Sequence, residues 1–312
     1  MNSTDCSSEH PCFNSTAPDQ DYAFIGDFFK VLTIVILLIA YPLVILLNAI
    51  VIVVIKTKQR LQTRSNILLA SLAGTDLAMG LTAQPAFIAT VISRLAYGSL
   101  SVLDTSRLLN NTKNAIFVIL SLASIFHLVL ISADRFVAMK YSLRYDTIVT
   151  KFRITVAAAC GWLFPVIYVF IRFIVLPEII PKIMLVHFVV AICLLVIIYC
   201  HGSVYFICRR HLIEIKSTQP SQEATAKFLE DKKAWKTTGI IVGGLFMCYI
   251  PELLFALIFE ILPAYKKILD TLFPSSFRFS FVVLNSLLNP VIYCWRSTAI
   301  RKAMLQLLMK SR

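Results

Sequence analysis

The 312-residue chain is 58% hydrophobic and only 15% charged, with a mean hydropathy of +0.78. Soluble domains carry roughly 25% charged residues, so this composition describes one membrane-embedded domain and leaves no room for a separate catalytic or ligand-binding ectodomain. The net charge of +13 lies in short loops between apolar runs, the positive-inside pattern, and no basic face with interleaved aromatics points to nucleic acid.

Residues 1–27 are polar and acidic and read as an extracellular tail. Asn2-Ser3-Thr4 and Asn14-Ser15-Thr16 make Asn2 and Asn14 candidate glycosylation sites, and Cys6 and Cys12 form a candidate disulfide outside the membrane. With no cleavable leader pattern, the first span is expected to act as the signal anchor. Seven apolar segments then follow at about 28–55, 65–93, 108–140, 152–176, 182–210, 232–262 and 272–294, each long enough to cross a bilayer. The expected fold is an all-α membrane protein: a seven-helix bundle over 28–294 and an amphipathic helix and tail over 295–312. In that last stretch Ile300, Met304, Leu307 and Leu308 share one helical face.

Most of the Lys and Arg residues fall in alternate loops, among them Lys56, Arg60, Lys151, Lys233 and Arg301. That asymmetry predicts an extracellular N-terminus and a cytoplasmic C-terminus at the plasma membrane. The polar stretch from Glu214 to Asp231 reads as a short cytoplasmic loop flanked by helical extensions.

The third span carries polar groups at both ends, and Lys113 to Asp134 covers roughly 31 Å, about one hydrocarbon core. Elsewhere, Asp76 sits mid-span, with Asn48, Ser124, Asn285, Ser286 and Asn289 at comparable depth. Buried polar groups in lipid are costly, so this set reads either as a pocket for a small cation or as hydrogen-bonding glue between helices. Pro165, Pro251 and Pro290 interrupt their spans and supply hinges. No metal-ligand cluster, nucleophile–base pair or phosphate loop suggests an enzyme.

Six motifs in order carry a resemblance. Asn48, Leu69-Ala70 with Asp76, Asp134-Arg135-Phe136, Trp162, Cys248-Tyr249-Ile250-Pro251 and Asn289-Pro290-Val291-Ile292-Tyr293 fall in order on the first, second, third, fourth, sixth and seventh spans. The chain resembles a rhodopsin-like (class A) G-protein-coupled receptor across all seven spans. The resemblance implies a heterotrimeric G protein and an extracellular small-molecule, lipid or peptide ligand as partners, alongside membrane lipids. Arg135 would contact the G protein, restrained by Asp134 and by Asp231. Leu143 would dock on the G protein, Pro251 would be the pivot of the sixth span, and Tyr249, Pro290 and Tyr293 would belong to the same switch. Asp76, Ser124, Asn285 and Asn289 would line an allosteric sodium site, the only cofactor implied.

The chain also departs from that pattern. Asn110 stands where the family has its third-span cysteine, the loop Leu176–Lys182 has no cysteine, and Val186–Ile198 has no proline. These absences resemble the melanocortin, lysophospholipid and cannabinoid branch. Phe117 occupies the position of the amine receptors' aspartate, and Val283 that of the opsins' lysine. Lys113, Asn114, Phe117, Glu252 and Arg278 are the candidate ligand contacts. Lys113 suits an anionic or lipid head group, which is slightly favoured. Glu252 suits a cationic one, and an internal Lys113–Glu252 pair is the alternative to either. The alternatives to a transducer are a non-signalling receptor or scaffold, against which Arg135 argues, and an ion-coupled transporter, for which no inverted repeat is present.

Overall fold

A computed structural model describes residues 18–97, 107–172, 182–217, 222–296 and 298–310. Every described element is a helix or a turn, and seven helices are long and apolar enough to span a membrane. The spans are Phe24–Thr57, Arg64–Tyr97, Leu108–Lys140, Lys151–Phe170, Leu185–Arg210, Val242–Ile261 and Ser275–Cys294. Their apolar runs satisfy every backbone group within the helix, as a hydrocarbon environment requires.

Several boundaries differ from the sequence reading, each for a local reason. The first helix begins at Pro18, inside the expected tail, because proline is well tolerated in a first helical turn. The fourth is α-helical to Phe170 and continues as a π turn at Ile171 and Arg172, and residues 173–176 of the expected span lie outside the described residues. The seventh starts at Ser275 because Lys266–Leu272 forms its own short helix and Pro274 blocks its continuation. The fifth and sixth helices extend to Ser217 and back to Gln222, so most of the polar Glu214–Asp231 stretch is helical. Within the second span, one π turn at Met79–Ala83 precedes Pro85, whose missing N–H and bulky ring disfavour a regular ladder there.

The third span lies at the centre, packing against the second, fourth, fifth and sixth, while the seventh packs against the first and sixth. Its core side chains Leu122, Ile125 and Leu128 are buried. A polar chain ties it to the second and fourth spans. His127 Nδ1 lies 2.7 Å from the Ala123 carbonyl, which can only accept, so that nitrogen carries the proton and Nε2 accepts from Ser71 Oγ at 2.7 Å. Trp162 Nε1 in turn donates to Ser71 Oγ at 3.1 Å. Gly161 makes this fit: a Cβ there would stand 3.0 Å from the His127 ring.

At the bundle end where the chain starts, Phe29 meets Phe273 and Phe277 at ring separations of 5.1 and 4.6 Å. Gly26 lies so close to the short Lys266–Leu272 helix that a Cβ would be 2.2 Å from the Thr271 carbonyl oxygen. At the opposite end, the amphipathic helix Thr298–Lys310 buries Ile300, Ala303 and Met304 against the first and last spans.

Candidate functional site

Three polar sites lie along the bundle axis. The first is a cavity of about 420 Å³ toward the N-terminal end, bounded by the third to seventh spans and by Phe87 of the second. Its volume falls within the roughly 300–1,000 Å³ of small-molecule sites. One wall is aromatic: Phe87 and Phe279 stack at 3.5 Å between centroids, and Phe117 lies 3.6 Å from Phe279. Tyr249 forms part of the floor, its hydroxyl donating to the Ser121 carbonyl at 3.3 Å. Ser121 Oγ and Tyr168 OH, both on the lining, are buried and have no hydrogen-bond partner among the described residues.

Glu252 is the acid of this cavity. Its Oε2 lies 3.2 Å from Arg278 Nε, and its Oε1 lies 3.7 Å from His187 Nε2. Arg278 is shared: its Nη1 also pairs with Asp270 at 2.9 Å and donates to the Phe273 carbonyl at 2.9 Å. Its guanidinium lies over the rings of Phe255 and Phe259 at 5.1 and 5.0 Å. One guanidinium thus serves two carboxylates.

Of the expected ligand contacts, Asn114, Phe117 and Glu252 line the cavity; Arg172 lines it too. Arg278 stands behind Glu252 rather than on the lining. Lys113 turns the other way, donating to Thr90 Oγ1 at 3.2 Å with its ammonium 5.0 Å from the Phe87 ring centre. The expected alternative of a Lys113–Glu252 pair is therefore replaced by Arg278 and His187. The apolar stem of Lys113 lets its head follow the polar groups of the second span, which a linear sequence does not reveal.

The second site surrounds Asp76, which is fully buried. Its Oδ1 accepts from Ser286 Oγ at 2.8 Å and Ser124 Oγ at 3.4 Å, and its Oδ2 accepts from Asn289 Nδ2 at 2.8 Å. Asn48 Nδ2 donates to the Ser286 carbonyl at 3.1 Å, joining the first span to the seventh. Asn285 Oδ1, Asn48 Oδ1 and the Tyr293 hydroxyl are buried in the bundle and have no hydrogen-bond partner among the described residues. Asp76, Ser124 and Asn289 of the expected set thus converge directly. Asn285 is buried but makes no recorded bond to Asp76, and Ser286 supplies the bond instead.

The third site is at the far end of the third span. Asp134 pairs with Arg135 at 2.6 Å and also accepts from Ser65 Oγ at 2.8 Å and Tyr145 OH at 2.6 Å. Arg135 also contacts the Ser65 hydroxyl. Tyr145 comes from the short helix Tyr145–Ile148, and Arg64 lies over its ring at 5.4 Å. Burial first, then the Asp134 hydrogen bond and charge, raises the Tyr145 hydroxyl from its ordinary value to about 12, so it stays a donor. Phe136 packs near Tyr199 at 6.1 Å, Leu143 is 97% exposed, and Tyr249 and Tyr293 are buried. Pro251 and Pro290 lie inside continuous helices.

Ser65, Tyr145, His187 and Asp270 were not singled out in the sequence as site partners. Each is an ordinary polar residue at a helix end or on a span, and only packing gives it a partner. Asn2, Asn14, Cys6 and Cys12 lie outside the described residues, as does the Asp231 side chain.

With this geometry in place, comparison with known proteins is informative. Residues 47–180 and 174–293 match the 7 transmembrane receptor (rhodopsin family). The chain belongs to that family, a class of multi-pass membrane receptors and not of enzymes. It is 26% identical over 309 residues to the alpha-1A adrenergic receptor of Oryzias latipes, covering 84% of this chain. The human alpha-1A adrenergic receptor is 26% identical over 306 residues, or 82% of this chain. The trace amine-associated receptor 9 of Rattus norvegicus is 27% identical over 286 residues, 82% of this chain and 80% of that receptor. The chain spans 63% of the length of the adrenergic receptors it matches.

Proposed function

We propose that this chain is a G-protein-coupled receptor for a small organic cation, with its N-terminus extracellular and its C-terminus cytoplasmic. The observation that carries the ligand class is Glu252. Asp270 shares the guanidinium of Arg278 with it, so Glu252 is only partly paired, and an ammonium beside its Oε1 would complete its pairing. Phe87, Phe117 and Phe279 offer an aromatic face to the ligand body, and Ser121 and Tyr168 offer hydrogen bonds to a polar substituent. The adrenergic and trace amine names of the relatives support the same class. Phe117 occupies the place of the usual amine-binding aspartate, so the anchor moves from the third span to the sixth.

The lipid or anionic alternative rested on Lys113, whose ammonium is engaged with Thr90 and Phe87. The resemblance to the melanocortin, lysophospholipid and cannabinoid branch rests on absences alone and is not carried forward. For transduction, ligand at Glu252, one residue beyond Pro251, biases the outward pivot of the sixth span. Arg135 is then released from Asp134 to meet a G protein, with Leu143 docking beside it. Asp76 with Ser124, Ser286 and Asn289 would hold a sodium ion that favours the resting state. The orphaned buried oxygens of Asn285 and Asn48 fit such an ion, because acceptors without donors suit a cation.

The test is nucleotide exchange on heterotrimeric G proteins across a panel of amines, carboxylates and lysophospholipids. An amine is expected to activate the wild type, and Glu252→Gln to abolish that response at normal surface expression. Activation by an anion, lost on Lys113→Gln and retained in Glu252→Gln, would overturn the ligand class. Binding with no exchange on any G protein would favour the non-signalling receptor.

A further inference from the structure

The cavity lined by Glu252 carries a second charge, of opposite sign. Among the described residues its lining has one carboxylate, Glu252 of the sixth span, and one guanidinium, Arg172 at the end of the fourth. Arg172 is only 5% exposed, so its charge stands out of bulk water. Tyr168 lies one helical turn before it and lines the same wall, its hydroxyl buried with no hydrogen-bond partner among the described residues. A guanidinium offers several N–H donors in a fixed fork and no acceptor. That wall is therefore rich in donors, which is what a carboxylate requires. Glu252 takes its own ion pairs from elsewhere, from Arg278 at 3.2 Å and His187 at 3.7 Å. The fourth span packs against the second and third, and the sixth against the third, fifth and seventh. The third span thus separates them, and the two charges face each other across the cavity instead of meeting. Much of the remaining lining is apolar, with the Phe117 and Phe279 rings 3.6 Å apart.

We propose that the ligand is a zwitterion, an aryl amino acid with its ammonium and its carboxylate at opposite ends of the molecule. This rests on Glu252 as the anchor of a cation and adds the second pole. The ammonium completes the pairing of Glu252 Oε1, and the carboxylate takes the Arg172 fork and the Tyr168 hydroxyl. The aromatic rings hold the apolar body between the two ends. A simple amine satisfies one wall and leaves the buried Tyr168 hydroxyl without an acceptor, a cost that discriminates against it. An α-amino acid carries both charges on one carbon and reaches one wall at a time. Asn111 and Asn114 of the third span line the cavity too and can serve either pole, since an amide both donates and accepts.

The experiment measures binding by isothermal titration calorimetry on the purified full chain in phosphatidylcholine nanodiscs, so no G protein is read. The probes are benzoic acids with a para aminomethyl, aminoethyl or aminopropyl arm. Their methyl esters keep only the cation, their N-acetyl derivatives keep only the anion, and phenylalanine stands for the α-amino acids. At least one of the acids is expected to bind the wild type tighter than its ester by roughly tenfold to a hundredfold, the range of a hydrogen bond to a charged partner. Arg172→Gln should erase that advantage and leave the ester's affinity unchanged, while Arg172→Lys keeps part of it. Tyr168→Phe removes a single oxygen, tests the same pole without disturbing packing, and should lower the advantage by about fivefold. Esters that bind and weaken on Glu252→Gln, with no acid binding tighter, overturn the zwitterion and leave the cation reading standing. N-acetyl derivatives that bind as tightly as the parent acids, unaffected by Glu252→Gln, overturn both. Phenylalanine binding as tightly as the best acid overturns the proposal, as does a loss in Arg172→Gln shared equally by acid and ester. So does the absence of binding by every acid in the series.

Discussion

Replacing Tyr145 by Phe removes one oxygen and leaves the rest of the loop contact in place. The ring remains under Arg64 at 5.4 Å, while the 2.6 Å bond to Asp134 is lost. A hydrogen bond to a charged group contributes about 1.5–3 kcal/mol when enclosed; Tyr145 is half-buried and Asp134 keeps two other partners, so about 1 kcal/mol is the appropriate figure. If the bond exists only while Arg135 is held at Asp134, its loss shifts the resting equilibrium by about fivefold toward the released state. Ligand-free nucleotide exchange, measured in membranes at matched receptor density, should rise by that factor. The pH dependence has a definite sign. A hydroxyl raised from 10.0 to about 12 stabilises the folded state fully below its ordinary value, and that contribution is lost as pH climbs from 10.0 through about 12. Exchange by the wild type should therefore show no Tyr145-linked change at any pH below that range. Unchanged or reduced basal exchange in Tyr145→Phe, with normal surface expression, would refute the latch.

Asp76→Asn should abolish the effect of sodium on agonist affinity, read by competition binding in sodium against a bulky organic cation; a retained effect would put the ion elsewhere. His127→Ala removes the link between Ser71 and the Ala123 carbonyl and leaves a void against Gly161. It should cost about 2–4 kcal/mol, seen as a lowered thermal unfolding midpoint in detergent. An unaltered midpoint would mean the three-span tie is dispensable. Gly26→Ala forces a Cβ toward the Thr271 carbonyl and should speed amide exchange across Lys266–Leu272 without altering exchange in the third span. Equal exchange would show that the contact is not tight.

The sequence made the seven spans legible because hydrocarbon demands long apolar helices, and that demand is written residue by residue. Asp76, Asn289 and Asp134 were legible for the opposite reason, since polar groups at depth or at a span end stand out. Partners were harder to read. Ser65 and Tyr145 meet Asp134 from sequence separations of 69 and 11 residues, and nothing in either local pattern announces it. The direction of Lys113 was hidden because a long side chain at a span end has polar neighbours on two sides. Glu252 was legible as an ionisable residue but not as half of a shared pair, because Arg278 reaches it only after the chain breaks at Phe273 and Pro274. The π turn at Met79–Ala83 was hidden too, since hydropathy does not register which carbonyl a helix leaves unpaired.

Release of Arg135 from Asp134 is the step proposed to activate a G protein. It can be tested without knowing the ligand, by measuring basal nucleotide exchange in Tyr145→Phe with and without Arg135→Ala at equal surface expression. The single substitution should raise exchange by about fivefold, and adding Arg135→Ala should return it to the receptor-free level. Elevated exchange that persists in the double variant would contradict it.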